Sequence, residues 1–341
     1  MAQSESQTVA AHNATMPAAD PTQNLPVPAQ RNPGQPLDLD WVQSLTVNRS
    51  AIDRRAETFA KRRTVKKEYQ AAYLIRAIEC IDLTTLSGDD TPGNVHRLCA
   101  KAKQPLPLPV VRGLGIAPIH VGAVCVYHAY VADAVRFLSG SGIPVAAVST
   151  GFPAGLSPLR QKVEEIRESV KAGAHEIDIV ITRAHALRQD WKSLYEEMSL
   201  YREACGAAHV KAILATGELG TYTNVARASA VCMMAGADFI KTSTGKEPVN
   251  ATLPFALVMA RLIREYHGRT GCQIGFKPAG GIRTAKQAAE YLMLMRDELG
   301  PEWLSPHLFR IGASTLLADI ERQLEHFLTG RYSAYNRHPM G

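Results

Sequence analysis

Short runs of branched apolar residues alternate along most of this chain with stretches whose apolar positions recur at intervals of three and four. The runs predict strands over 79–85, 123–127, 144–149, 176–182, 210–215, 239–242, 273–277 and 308–311. Between them the helical period is carried by Val131, Ala134, Val135 and Leu138 in one segment, and by Ala285, Ala288, Ala289 and Leu292 in another. Pro158 opens a further helix and Gly173 closes it. Eight alternations in about 260 residues predict an α/β chain folded as a (β/α)8 TIM barrel, with an open doubly wound sheet as the other arrangement that fits. A helix over 65–78 precedes the first strand, so the barrel carries an extra N-terminal helix.

The same pattern divides the chain into a barrel and two tails. Residues 1–40 are rich in Ala, Pro, Gln, Asn and Ser with little aliphatic content, which predicts a disordered, flexible N-terminal tail. Residues 41–329 form the barrel with its helical extension, and residues 330–341 a flexible C-terminal tail.

Strand parity places the chemistry. In 176–182, Ile177, Ile179 and Ile181 share one face and Asp178 shares the other with Val180. Ile240 opposes Lys241, and Ile274 with Phe276 opposes Lys277, while Gly275 on the lysine side leaves room inside. With the branched residues turned toward the surrounding helices, Asp178, Lys241 and Lys277 all point into the barrel. An ion-pair cluster kept for structure would present the same residues. The two lysines stand near the carboxyl ends of successive strands, where barrel enzymes build their sites. At roughly 5–6 Å and an effective dielectric near 20, their repulsion is about 3 kcal/mol, on the order of two pKa units. One of them is then available as a neutral amine, the form that makes Schiff bases with carbonyl substrates.

Glycine turns follow the last three strands, at Thr244-Gly245-Lys246, Gly280-Gly281 and Ile311-Gly312-Ala313-Ser314-Thr315, with Ser314 where a helix begins. Their exposed amides suit a phosphate.

Composition narrows the picture without redirecting it. The chain has 341 residues, 46% hydrophobic and 21% charged, as in a soluble globular protein. The formal charge of +6 and pI near 9.0 owe much to a basic segment between Arg54 and Lys67, read as a solvated helix face and compatible with an anionic small substrate. The six cysteines lack paired spacing and the eleven histidines lack ligand spacing, so reduced thiols, no metal and no cofactor are expected. No apolar run has membrane-spanning length and no leader pattern opens the chain, which makes the cytoplasm the expected compartment, with no membrane partner.

Four stretches together, Asp-Phe-Ile-Lys-Thr-Ser-Thr-Gly-Lys at 238–246, Gly-Phe-Lys-Pro-Ala-Gly-Gly at 275–281, Ile-Asp-Leu-Thr-Thr-Leu at 81–86 and Glu-Ile-Asp-Ile-Val at 176–180, resemble the deoxyribose-phosphate aldolases. The tail at 330–335 is similar to that of the longer, animal-type branch. The resemblance implies a class I lyase of deoxyribose phosphate catabolism that splits 2-deoxy-D-ribose 5-phosphate into glyceraldehyde 3-phosphate and acetaldehyde. It implies Lys241 as the Schiff-base lysine, with Lys277 and Asp178 in proton transfer. It places Asp82, Cys125 and Thr244 near the substrate, and Lys246, Gly280, Gly281, Gly312, Ser314 and Thr315 around the phosphate, Thr315 replacing a serine common in bacterial members. Tyr332 or Tyr335 corresponds to a tail tyrosine that assists proton exchange, although residues 336–341 extend past it. A homo-oligomer is compatible with the resemblance. Two other readings stay open: a transaldolase-like Schiff-base lyase, and a non-catalytic sugar-phosphate or nucleic-acid binder using the basic segment, which the inward amine disfavours.

Overall fold

The computed structural model describes residues 31–62, 65–334, 337 and 338. Eight parallel strands run in one sheet of order β7-β6-β5-β4-β3-β2-β1-β8. They are β1 (Ile81–Thr84), β2 (Ala123–Tyr127), β3 (Val145–Ser149), β4 (Glu176–Val180), β5 (His209–Ile213), β6 (Phe239–Lys241), β7 (Gly275–Lys277) and β8 (Ile311–Ala313). Single bridges, Phe276 to Phe309 and Ala279 to Gly312, bring β7 to the β8 segment and nearly close the barrel. The TIM-barrel expectation therefore holds, and the open doubly wound sheet does not.

Most of the strands fall where the apolar runs predicted, trimmed at their ends. Beyond β5 and β6 the chain stays extended, with Leu214 N–H donating to Lys241 O at 3.0 Å and Thr242 N–H to Lys277 O at 3.1 Å, but the ladder there is interrupted. The last strand is displaced from the expected 308–311. Leu308 to Arg310 reach β7 only through the bridge at Phe309, and pairing with β1 starts at Ile311.

Parity sorts the side chains into two cores. Ile177, Ile179, Ile181, Val210, Ala212, Ile240 and Phe276 face outward into the large apolar layer under the helices. Cys125, Ala146, Val148, Phe152, Val180 and Ile213 form a small apolar cluster inside the barrel. Gly275 makes the expected room, since a Cβ there would collide with the Phe239 ring paired beside it.

The N-terminal extension holds three helices, Leu39–Ser44, Arg49–Lys61 and Lys67–Glu79, where one was expected. Asp38 and Asn48 cap the first two by accepting from Trp41 N–H at 2.8 Å and Ala51 N–H at 3.0 Å. Part of the basic segment is paired there. Arg55 pairs with Asp297 at 3.3 Å and Glu298 at 3.1 Å, and Arg62 with Asp297 at 2.6 Å. These pairs dock the second helix on Ala285–Glu298, while Arg54, Lys66 and Lys67 stay exposed.

Residues 1–30 lie outside the described residues, while residues 31–40 run over the surface, mostly exposed, with one buried anchor. Asn32 is buried, donating from Nδ2 to the Met233 and Ala237 carbonyls at 2.7 and 3.0 Å, while its backbone N–H reaches Asp238 at 2.8 Å. One polar side chain thus supplies the satisfaction that the aliphatic-poor composition seemed to lack. At the other end His338 is buried, 2.8 Å from Glu325. We predict that Asn32→Ala lowers stability in urea by about 2–3 kcal/mol, the worth of its buried hydrogen bonds. A loss below roughly 0.5 kcal/mol, the scatter of surface substitutions, would show that this segment is not docked.

Candidate active site

The strand register stacks ionic side chains inside the barrel. Asp178 on β4 pairs across with Lys211 on β5, and Lys241 on β6 with Lys277 on β7. A single oxygen, Asp178 Oδ2, accepts from both Lys241 Nζ and Lys277 Nζ at 2.7 Å. Its partner Oδ1 faces Lys211 Nζ at 3.3 Å. Asp82 on β1 binds Lys277 and lies 2.6 Å from Arg310 Nη1 through Oδ1. Glu176 binds Lys211 and takes Arg310 Nη2 at 2.8 Å.

Three carboxylates therefore meet four cations, all buried. With every group ionised the cluster carries one excess positive charge in a medium that solvates it poorly. Lys241 is the cation with least support. Burial lowers its pKa most, and the Lys277 charge adds to that against the pull of Asp178. Burial disfavours the charge on Lys277 and Lys211 too, yet Asp178 and Asp82 beside Lys277, and Asp178, Glu176 and Asp82 beside Lys211, hold their pKa values above the ordinary lysine value. Burial alone would raise the Asp178 carboxyl, but the ammonium groups of Lys211, Lys241 and Lys277 hold it well below the usual range. Lys241 is thus the lysine of the cluster whose pKa is lowered, and desolvation does more than repulsion to lower it.

Above Lys241 lies a cavity of about 350 Å³, walled by the turns after β1, β6, β7 and β8. Its lining includes Lys241, Thr244, Lys246, Gly280, Gly281, Gly312, Ser314 and Thr315. All six residues expected around a phosphate are there, together with Arg283, which sequence reasoning had missed. Lys246 spans the mouth, its ammonium donating to Leu86 O at 3.2 Å.

Asp82 and Cys125, expected near the substrate, are not on this wall. Asp82 is wholly enclosed with Arg310, Lys277 and Lys211, one layer below, because its side chain answers three cations. Cys125 belongs to the inner apolar cluster, and burial pushes its thiol pKa up. Lys211, Glu176 and Arg310 were missed. Glu176 shares the face of Asp178, and Lys211 opposes Val210 and Ala212, so parity held the signal for both. Tyr332 stacks on His326, ring centroids 4.1 Å apart, at the end of helix Leu316–Thr329 remote from the cavity. Tyr335 lies outside the described residues. All six cysteines are free thiols, and among the described residues no cluster of His, Cys, Asp or Glu fit to hold a metal occurs.

The model of the DeoC/LacD family aldolase matches residues 76–320. Deoxyribose-phosphate aldolase of Bos taurus is 58% identical over 311 residues, covering 90% of this chain and 98% of that protein. The Homo sapiens protein of the same description is 58% identical over 313 residues, covering 91% and 98%. A solved structure described as a tetrameric deoxyribose phosphate aldolase from Aeropyrum pernix shares the fold, with a TM-score of 0.55 and 23% identity over 77% of this chain and 98% of its own.

Arg310→Met is expected to destabilise the protein by about 3–5 kcal/mol at pH 7, since it removes the cation that bridges the buried Asp82 and Glu176. Both carboxyls sit below their ordinary pKa values in the native protein, against burial, chiefly because of Lys277 and Arg310 respectively. Their contribution is therefore full above an unfolded value near 4.5 and fades as pH falls below it. The stability gap between variant and parent should narrow on acidification. A gap constant from pH 7 to pH 3 would contradict this account.

Proposed function

The chain belongs to the DeoC/LacD aldolase family, and on that premise we propose that it reversibly cleaves 2-deoxy-D-ribose 5-phosphate to D-glyceraldehyde 3-phosphate and acetaldehyde through a Schiff base on Lys241. The observation that carries the residue assignment is Lys241 itself, a lysine of depressed pKa on the wall of a cavity ringed by glycine turns.

The neutral Lys241 amine adds to C1 of the open-chain sugar, and loss of water gives the iminium. Deprotonation of the C3 hydroxyl, relayed by a water to the Asp178 and Lys277 pair, lets the C2–C3 bonding electrons move into a C1–C2 double bond. The C1–N π electrons pass to nitrogen, so the iminium is the electron sink. Glyceraldehyde 3-phosphate leaves, the pair returns a proton to C2 of the enamine, and hydrolysis frees acetaldehyde and the amine. The iminium places at the Lys241 nitrogen a positive charge that the neutral amine lacks, and the Asp178 carboxylate beside it stabilises that charge as it forms.

The remote phosphate orients the reacting carbons. Lys246, Arg283 and the helix start at Ser314 are placed to hold it. Six free thiols suit a reducing compartment, and we place the protein in the cytoplasm, acting in deoxyribose phosphate catabolism. No helix among the described residues is long and apolar enough to cross a membrane. We also propose a homo-oligomer, as the Aeropyrum pernix protein is described as a tetramer; sedimentation at micromolar concentration reads it.

Borohydride with deoxyribose 5-phosphate is expected to inactivate the protein by attachment at Lys241, and Lys241→Leu should abolish adduct and turnover together. An adduct mapped to another lysine would falsify the assignment. Lys277→Leu tests the electrostatics. It removes a repelling charge and leaves Asp178 Oδ2 to Lys241 alone, so the Lys241 pKa rises and the pH at which trapping begins moves upward. A trapping profile unmoved by this change would refute that role for Lys277.

A further inference from the structure

The turn after β6 contains a carboxylate that the reaction does not use. Glu247 is 7% exposed and follows the cavity-lining Lys246 without lining that cavity itself. Its Oε1 accepts from Thr244 N–H at 3.0 Å, and its Oε2 from Gly245 N–H at 3.1 Å and the Thr244 hydroxyl at 2.8 Å. Thr244 Oγ1 accepts in turn from Lys246 N–H at 3.1 Å. Three successive amides of the turn are thereby engaged within it, while Gly245 adopts the left-handed backbone, φ 89°, that the reversal requires.

Glu247 is also tied outward. Arg183 Nη2 lies 3.6 Å from Oε1, and the same guanidinium donates to the Pro153 and Ala154 carbonyls at 3.0 and 2.5 Å and pairs with Glu218 at 2.6 Å. One side chain thus joins the loops after β3, β4, β5 and β6. The Glu247 carbonyl accepts from Asn250 Nδ2 at 2.7 Å, and Asn250 packs on Gly280 so closely that a Cβ there would stand 2.6 Å from it. A bare carboxylate next to an anion site would repel the anion. Here the amides, the hydroxyl and Arg183 answer the charge, and its whole hydrogen-bonding capacity is turned to the backbone of the loop.

We propose that Glu247, buttressed by Arg183, is a positioning residue for recognition of the substrate phosphate. It fixes the turn from Thr244 to Lys246 so that the turn presents the Lys246 ammonium over the cavity in place of its amides. This deepens the proposed function and rests on it.

Steady-state kinetics of Glu247→Ala, Glu247→Gln and Arg183→Met on deoxyribose 5-phosphate and on unphosphorylated deoxyribose test the proposal. In Glu247→Ala the KM for the phosphorylated sugar should rise roughly tenfold or more, with kcat within about twofold. The KM for deoxyribose should not change. Glu247→Gln, which keeps one carbonyl acceptor for the amides, should recover part of the loss, and Arg183→Met should show a weaker form of it. Hydrogen exchange at the Thr244 and Gly245 amides, slow in the parent, should become fast in Glu247→Ala. Unchanged exchange, or a parallel loss of kcat on both sugars, overturns the proposal. A parent that leaves deoxyribose 5-phosphate uncleaved overturns the functional reading instead, and the exchange rates then still decide whether Glu247 holds the turn.

Discussion

The site depends on one shared carboxylate. Asp178 takes Lys241 and Lys277 on the same oxygen and faces Lys211 with the other. A carboxylate divided among three cations is strongly held in its ionised form, yet each cation receives only part of its charge. For Lys277 and Lys211 the deficit is made up by Asp82 and Glu176. Lys241 has no second carboxylate among its ion pairs. All three lysines are almost completely buried, so burial alone does not set Lys241 apart. The unequal supply of carboxylates does.

Parallel strands supply that arrangement because neighbouring residues in register point the same way. Asp178 with Lys211, and Lys241 with Lys277, are such neighbours, and the opposite parity sends Ile177, Ile240 and Phe276 to the helices. Beneath them Arg310 bridges Asp82 and Glu176 across the β1 and β4 strands. The groups proposed to react are thus carried on strands and fixed from below, while the end proposed for the phosphate is built from turns. This division suits a reaction whose amine must stay within a fraction of an ångström of its proton partners while the substrate enters and leaves.

Much of this was legible in the residues. Alternation of Ile with Asp178 and of Ile240 with Lys241 settled both the strands and their inward faces, because a period of two leaves no other assignment once one face is buried. The glycine turns located the cavity wall. What parity does not carry is depth. Asp82 and Lys241 both point inward, but one is enclosed above Arg310 and the other reaches the cavity, and only the stagger of the strands separates those layers. Arg310 was hidden for a related reason, since it precedes the regular part of β8 and the apolar run around it had no clean alternation. Asn32 was hidden because a single well-satisfied amide can dock a segment whose composition reads as unfolded.

The charge balance also bears on how an anionic substrate and a neutral amine coexist. A phosphate group at roughly 8 Å, with an effective dielectric near 20, favours a lysine ammonium by about 2 kcal/mol per unit charge. Unopposed, it would raise the Lys241 pKa and remove the nucleophile as the substrate arrives. Lys246 and Arg283 on the cavity rim carry the opposite charge, so a phosphate held there as proposed would be screened from the amine. Glu247 would undo that shielding if its charge were exposed, and it is instead enclosed by Arg183 and the turn amides. In the proposed reaction, recognition at the rim and depression of the Lys241 pKa below it are therefore one electrostatic requirement, met by cations on the cavity rim and the shared carboxylate on the side of the amine.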